Sequence, residues 1–438
     1  MGLALRNATI LTMNDAGDVV TGDLWIEGGR IASVGAIPAE VTPETTIDAG
    51  GALVLPGFIQ THVHLCQTLF RGAADDLPLL AWLRDRIWPM EAAHDQATLA
   101  ASARLAAAEL LLSGTTTALT METVHDTDAV FEALASTHLR ATIGKCLMNR
   151  GDGVPRRLFQ STAAGIDESL ALHRRWHGAA GGRLRAALAP RFALSCTRDL
   201  LEATAAASAA HGLLVHTHAS EQRAEIDLVR RETGMDNIAY FAAVGLGSPR
   251  LCAAHCVWPT EAELQLIADQ QIKVLHCPGS NLKLGSGVAP IVDMRARGID
   301  VSLGSDGAAC NNSLDMFHEM RLAATLQAMR AGPGALPARD VVWMATRGGA
   351  RALGLDREIG TIAPGYKADL IVVENHSVHH QPGRDPYATL VYSARPTDVR
   401  VTIVDGEVVA HDGELSWADV DEIRLNAADA AARLLARV

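Results

Sequence analysis

The stretch Leu53-Val54-Leu55-Pro56-Gly57-Phe58-Ile59-Gln60-Thr61-His62-Val63-His64 decides how this chain is read. An apolar run of strand character ends in two histidines spaced two apart. On an extended backbone both imidazoles leave the same face. Three more apolar runs end in side chains of the same chemistry. Leu213–His218 is followed by Glu221, Leu251–His255 closes on its histidine, and Asp300–Gly304 leads into Ser305-Asp306. Each run gives way to a polar, Gly-rich loop. Parallel α/β barrels assemble their sites from residues at the C-terminal ends of several strands. Imidazoles and a carboxylate converging there are what a catalytic zinc or iron site requires.

Working outward, apolar segments alternate with Ala/Leu-rich helical stretches. The expected strands are Gly57–His64, Thr115–Met121, Leu139–Leu147, Leu184–Pro190, Leu213–His218, Leu251–His255, Ile272–Cys277 and Asp300–Gly304. Eight strands with intervening helices predict an α/β fold, a (β/α)8 TIM-like barrel. Before it, Ala4–Met13, Asp23–Ile26, Arg30–Val34 and Thr45–Asp48 read as short strands, with a hairpin at Gly28-Gly29. A matching pattern returns in Ala368–Val373 and in Val399–Val409, which turns at Asp405-Gly406. The two chain ends are therefore expected to build one small β-sandwich. Residues 1–56 and 361–438 form it together with a terminal amphipathic helix over Asp419–Val438, and residues 57–360 form the barrel. Ala338–Leu353, after Pro337, is expected to be the helix leading back to the sandwich.

With 438 residues, nearly half of them apolar, the chain can bury a large core beside an accessory unit. A formal charge of −12 and the lack of any basic run argue against a nucleic-acid partner. The seven cysteines are scattered without a CxxC pair and are expected to be buried thiols. The N-terminus has no signal-peptide signature and no apolar stretch reaches membrane-spanning length, so the expectation is a cytoplasmic protein with no membrane partner.

Within the site, His62, His64, His218 and Asp306 are the expected metal ligands, with one position left for water. His216 shares a face with His218 but lies deeper, and is expected to be a hydrogen-bonded core histidine. Glu221 is placed to take a proton from water and hand it to a leaving nitrogen. Its competing use is as a neighbour of a helix N-cap, because Ser220 precedes a helical run. His255 either binds the metal or hydrogen-bonds the attacking water or the developing oxyanion. The second role is favoured because the other four already make a full set. Asp306 can also accept a proton from the nucleophile. One divalent ion is expected, Zn2+ first, with Fe2+ or Mn2+ compatible with the same ligands.

The HxH, His-x-x-Glu, lone His and Gly-Ser-Asp elements together resemble the amidohydrolase superfamily. So does Gly360-Thr-Ile-Ala-Pro-Gly-Tyr-Lys-Ala-Asp-Leu370, and the resemblance covers essentially the whole chain. It implies the mononuclear branch, whose members remove amino groups from aromatic heterocycles. The binuclear branch uses a carboxylated lysine; Lys145 is the one candidate and is read as structural or pocket-lining. Gln67, Ile143–Met148 and Pro190-Arg191-Phe192 resemble guanine deaminases, in which the glutamine and the Arg-Phe pair hold the purine. Leu69–Leu77, Ile87-Trp88-Pro89-Met90-Glu91 and Asp306–Asn312 resemble methylthioadenosine/S-adenosylhomocysteine deaminases, in which a glutamate at the place of Glu91 contacts the ribose. Triazine hydrolases share the scaffold.

Gln67 can offer a donor and an acceptor to a ring amidine, Arg191 can donate to a carbonyl and Phe192 can stack. Arg150 is a pocket candidate by position alone. The expectation is a hydrolytic deaminase of a small heterocycle, guanine-like first. The alternatives are the methylthioadenosine type, triazine amino- or chlorohydrolysis, and a catalytically silent barrel used as a binding module. Barrels of this kind often pair, so a homo-oligomer, dimer or larger, is expected.

Overall fold

The computed structural model describes residues 2–438. The chain ends build one nine-stranded sheet from β1 (Gly2–Leu11), β2 (Val19–Glu27), β3 (Arg30–Gly35), β4 (Thr45–Asp48) and β5 (Leu53–Pro56), completed by later strands. The barrel follows as β6 (Phe58–Val63), β7 (Thr115–Met121), β8 (Arg140–Leu147), β9 (Leu184–Pro190), β10 (Val215–Ala219), β11 (Leu251–His255), β12 (Lys273–His276) and β13 (Val301–Leu303). The chain then rejoins the first sheet through β14 (Leu370–Val373), β15 (Val399–Val404), β16 (Glu407–His411) and β17 (Glu414–Leu415).

The order β17-β16-β15-β14-β5-β1-β2-β3 shows how the two ends are joined. Strand β5 pairs parallel with β1 on one side and antiparallel with β14 on the other. Leu5, Ile10, Leu24, Ile31 and Val54 from the first end then share a core with Leu370, Val372, Val401 and Ile403 from the second. The sheet also folds back on itself, because the Ala368 N–H donates to Gly29 O at 2.9 Å and an isolated bridge joins Arg30 to Lys367. Gly28 and Gly29, at φ 58° and 79°, supply the left-handed turn of the hairpin between β2 and β3.

One apolar run thus serves two sheets, a division its periodicity does not display. Strand β5 ends at Pro56, which has no N–H to donate, and β6 begins at Phe58. A Cβ on Gly57 would collide with Thr116, so only glycine lets the chain cross so close to β7. The helix expected over Ala338–Leu353 is likewise two pieces, Ala338–Ala345 and Arg347–Ala352, broken at Thr346 (φ −126°, ψ −92°). The break presses Gly349 onto Ile59, where a Cβ would sit 2.7 Å from the isoleucine Cβ.

The eight barrel strands run parallel, in sequence order from β6 to β13. Its closing seam brings β13 beside β6. Thr61 Oγ1 donates to Leu303 O (2.9 Å), the Ser305 N–H to Gln60 Oε1 (2.8 Å) and the Asp306 N–H to His62 O (3.0 Å). Gly304 completes the seam, since a Cβ there would lie 2.7 Å from the His62 backbone nitrogen. This closure sets the end of the last strand against the end of the first. All seven cysteines are buried and free. Among the described residues no helix is long and apolar enough to cross a membrane.

Candidate metal centre and active site

His62 and His64 emerge at the end of β6, His218 near the end of β10, and Asp306 just beyond β13. Ligand atoms from these four side chains all lie within 4.8 Å of one another. Asp306 Oδ1 stands 3.3 Å from His62 Nε2 and 3.2 Å from His64 Nε2, and His64 Nε2 is 3.3 Å from His218 Nε2. Asp306 (φ 63°) and His255 (φ 72°) both hold the left-handed conformation, an uncommon one for residues with a Cβ that recurs where side chains must be re-aimed at functional sites.

The outward-facing ring nitrogens show what this centre accepts. His64 Nδ1 is 2.8 Å from Met121 O and His218 Nδ1 is 2.7 Å from Arg191 O. A carbonyl only accepts, so both Nδ1 atoms carry the proton and both Nε2 atoms are lone pairs. His62 Nδ1 lies 2.6 Å from His216 Nε2, while His216 Nδ1 faces Thr120 O at 3.3 Å. The same logic runs along the chain: His216 donates to the carbonyl, His62 donates to His216, and His62 Nε2 is a third lone pair. Burial pushes His62 down to about 4, although Asp306 pulls the other way. Burial would raise Asp306, yet His62 and His64 hold its carboxyl well below the usual range. Three lone pairs and a carboxylate facing each other in a buried space fit a cation and nothing with protons of its own.

His216, deeper in the barrel than His218, is therefore what fixes His62. Replacing it by Leu leaves the His62 Nδ1–H without an acceptor. The expected result is metal affinity lower by roughly 10–100-fold, read by chelator competition on the folded protein.

A second group, His379, His380 and Asp398, also brings ligand atoms together. There both Nε2 atoms approach Asp398 Oδ2, at 3.0 and 3.1 Å, while His380 Nδ1 is buried without a partner. A proton on that Nδ1 would be stranded, so His380 donates from Nε2 to Asp398, and its lone pair is on Nδ1 rather than on the nitrogen that faces the carboxylate.

Glu221 is buried beside the first centre, with Oε1 accepting from Ser286 Oγ at 3.1 Å and Oε2 3.7 Å from His255 Nε2. Its side chain does not cap the following helix, Arg223–Thr233. That task falls to Glu225, whose Oε2 accepts the Glu221 N–H at 2.9 Å and whose Oε1 accepts from Asn237 Nδ2 at 2.7 Å. Burial raises Glu221, His255 lowers it, and Asp306 adds to the rise. Burial lowers His255, but the Glu221 and Asp306 carboxylates outweigh it and keep the imidazole basic. Glu225, which also lines the cavity, was not singled out from sequence; the Glu three places after Gln222 was its signal.

The cavity over this centre is walled by Gln67, Arg191 and Phe192 and roofed by Leu79, Trp82 and Leu83. Gln67 donates from Nε2 to Glu91 Oε1 (2.9 Å), which leaves its Oε1 as a buried acceptor with no partner. Glu91 does not line the cavity. Both its oxygens accept from the Arg191 guanidinium, at 2.5 and 3.1 Å. Arg150 is not in this cavity either: its side chain pairs with Glu232 in a separate outer pocket that shares Phe192. Lys145 points away from the centre, to Gln160 at 2.5 Å and Glu168 at 3.6 Å.

The amidohydrolase family model matches residues 53–409. This chain belongs to the amidohydrolase family, hydrolases here acting on carbon–nitrogen bonds. A 5'-deoxyadenosine deaminase of Methanothermobacter thermautotrophicus is 42% identical over 96% of both chains. A 5-methylthioadenosine/S-adenosylhomocysteine deaminase of Desulforudis audaxviator is 40% identical over the full length of both. Among solved structures, an adenosine deaminase from Xanthomonas campestris with bound zinc superposes with a TM-score of 0.92 at 30% identity, covering 99% of this chain and 98% of that one. These relatives back the adenosine-type alternative over the guanine-like preference. Each terminal nitrogen of Arg191, the group expected to meet a purine carbonyl, donates once to Glu91.

Proposed function

We propose that this protein hydrolytically deaminates the adenine ring of a 5'-deoxyadenosine-type nucleoside, with His62, His64, His218 and Asp306 holding one Zn2+. The observation carrying this reading is end-to-end similarity to deaminases of that substrate type in a chain whose site offers three imidazole lone pairs and a carboxylate. A divalent cation so held supplies Lewis acidity that makes water a nucleophile at neutral pH.

The chain's own groups do the rest. Glu221 accepts a proton from the attacking water and passes it to the ring nitrogen beside the amino-bearing carbon. The new C–O bond forms as that ring nitrogen becomes N–H. His255, 3.7 Å from Glu221 and 3.8 Å from Asp306, steadies the developing oxyanion from Nε2. The remaining water proton then moves to the amino group, the C–N bond breaks, and ammonia leaves. Gln67 offers its free carbonyl oxygen to a substrate N–H, and Phe192 covers the ring. Glu91 acts at one remove, by fixing Gln67 and Arg191.

Ammonia release across 5'-deoxyadenosine, methylthioadenosine, S-adenosylhomocysteine, adenosine, guanine and melamine tests this reading. The expected result is kcat/KM at least about 100-fold higher on one of the adenine nucleosides than on guanine or melamine. The reverse order would return the guanine-like or triazine assignment.

A further inference from the structure

The short turn Pro278–Lys283, after β12, touches two members of the proposed site through consecutive residues. Ser280 Oγ donates to Asp306 Oδ2 at 2.7 Å, and Asn281 Oδ1 lies 2.9 Å from His255 Nδ1. Both residues are almost wholly buried. The turn is itself fixed from behind. Glu319, on the helix Met316–Ala331, accepts the Gly279 N–H at 2.9 Å and Asn311 Nδ2 at 2.7 Å. Asn311 Nδ2 also donates to Ser305 O at 2.8 Å, so the same strut braces the loop carrying Asp306. A Cβ at Gly279 would collide with Glu319 and Asn311, which makes glycine a condition of this approach.

The two contacts have distinct consequences. Asp306 Oδ1 faces His62 and His64, and Ser280 holds Oδ2 away from them. The carboxylate then presents a single oxygen to a cation. His255 turns Nε2 toward the oxygens of Glu221 and Asp306, at 3.7 and 3.8 Å. The Asn281 amide oxygen accepts from Nδ1–H and so locks the ring's direction.

We propose that Ser280 and Asn281 are positioning residues, Ser280 restricting Asp306 to one ligand oxygen and Asn281 aiming the His255 ring at the reacting oxygen. The proposal rests on the roles given above to Asp306 and His255. Its test separates metal retention from turnover in zinc-loaded enzyme. Asn281→Leu is expected to lower kcat by about 10–100-fold at unchanged metal content and KM, while Asn281→Asp, which keeps an acceptor at Nδ1, stays within about 10-fold of the parent. Ser280→Ala is expected to weaken zinc retention against a chelator by about 10–100-fold, with Ser280→Thr restoring most of it. Equal losses in the two Asn281 variants, or parental retention in Ser280→Ala, would overturn it. His255→Ala distinguishes the levels. If that variant turns over normally, the site reading fails as well; if it is inactive while Asn281→Leu is not, only the positioning role fails.

Discussion

Replacing Glu221 by Gln is expected to lower kcat by roughly 10²–10⁴-fold while one zinc per chain is retained. The substitution is nearly isosteric. A glutamine oxygen can still accept from Ser286 Oγ, and the Glu221 backbone N–H still donates to Glu225. The four proposed ligands make no hydrogen bond to the Glu221 side chain, so the metal centre has no reason to move. What disappears is a group that gains and loses a proton 3.7 Å from His255. Burial and the Asp306 charge raise Glu221 while His255 opposes them, a shift toward the protonated form that suits a group taking a proton from water. Metal analysis beside single-turnover kinetics reads the two effects separately. Undiminished turnover in this variant would remove Glu221 from the proton path, and loss of zinc would make it a structural neighbour of the ligands.

The four donor side chains were legible in the sequence because each ends an apolar run, and a parallel barrel has no other place to put strand ends. His64 and His218 are 154 residues apart in the chain, and their ring nitrogens still meet. The split sheet was legible from two hairpins of like layout. Strand β5 was hidden because Leu53–Ile59 is apolar throughout, and period-two alternation cannot mark where one buried sheet hands over to another.

The contacts that orient the site were illegible for a different reason. Ser280, Asn281, Glu225 and Ser286 have no distinctive spacing; only the closed barrel says what they touch. Arg150 shows the converse error. Its position after β8 suggested the pocket, but the loop carries it outward to Glu232. Likewise Gln67 and Arg191 were read as two free hydrogen-bonding groups, while the fold ties both to Glu91.

That tie leads to the second large effect. Arg191→Met is expected to cost about 3–5 kcal/mol of stability, measured by chemical unfolding, because it leaves the Glu91 carboxylate buried and unpaired. The guanidinium and the carboxylate have side chains only 3% and 1% exposed, and no solvent can replace the lost partner. Changing Glu91 as well, in Arg191→Met/Glu91→Met, is expected to recover most of that stability, since a buried ion pair replaced whole by apolar groups is close to neutral. Activity is expected to stay low in the double variant. Gln67 would then have nothing to hold its amide, and its carbonyl oxygen would no longer be presented to the substrate. The metal should remain, because His218 is fixed by the main-chain oxygen of Arg191 rather than by its side chain. Stability restored without activity is the signature of a pair that orients the pocket. A double variant as unstable as the single one would mean that the pair's worth lies in packing, and that Glu91 does not govern Gln67.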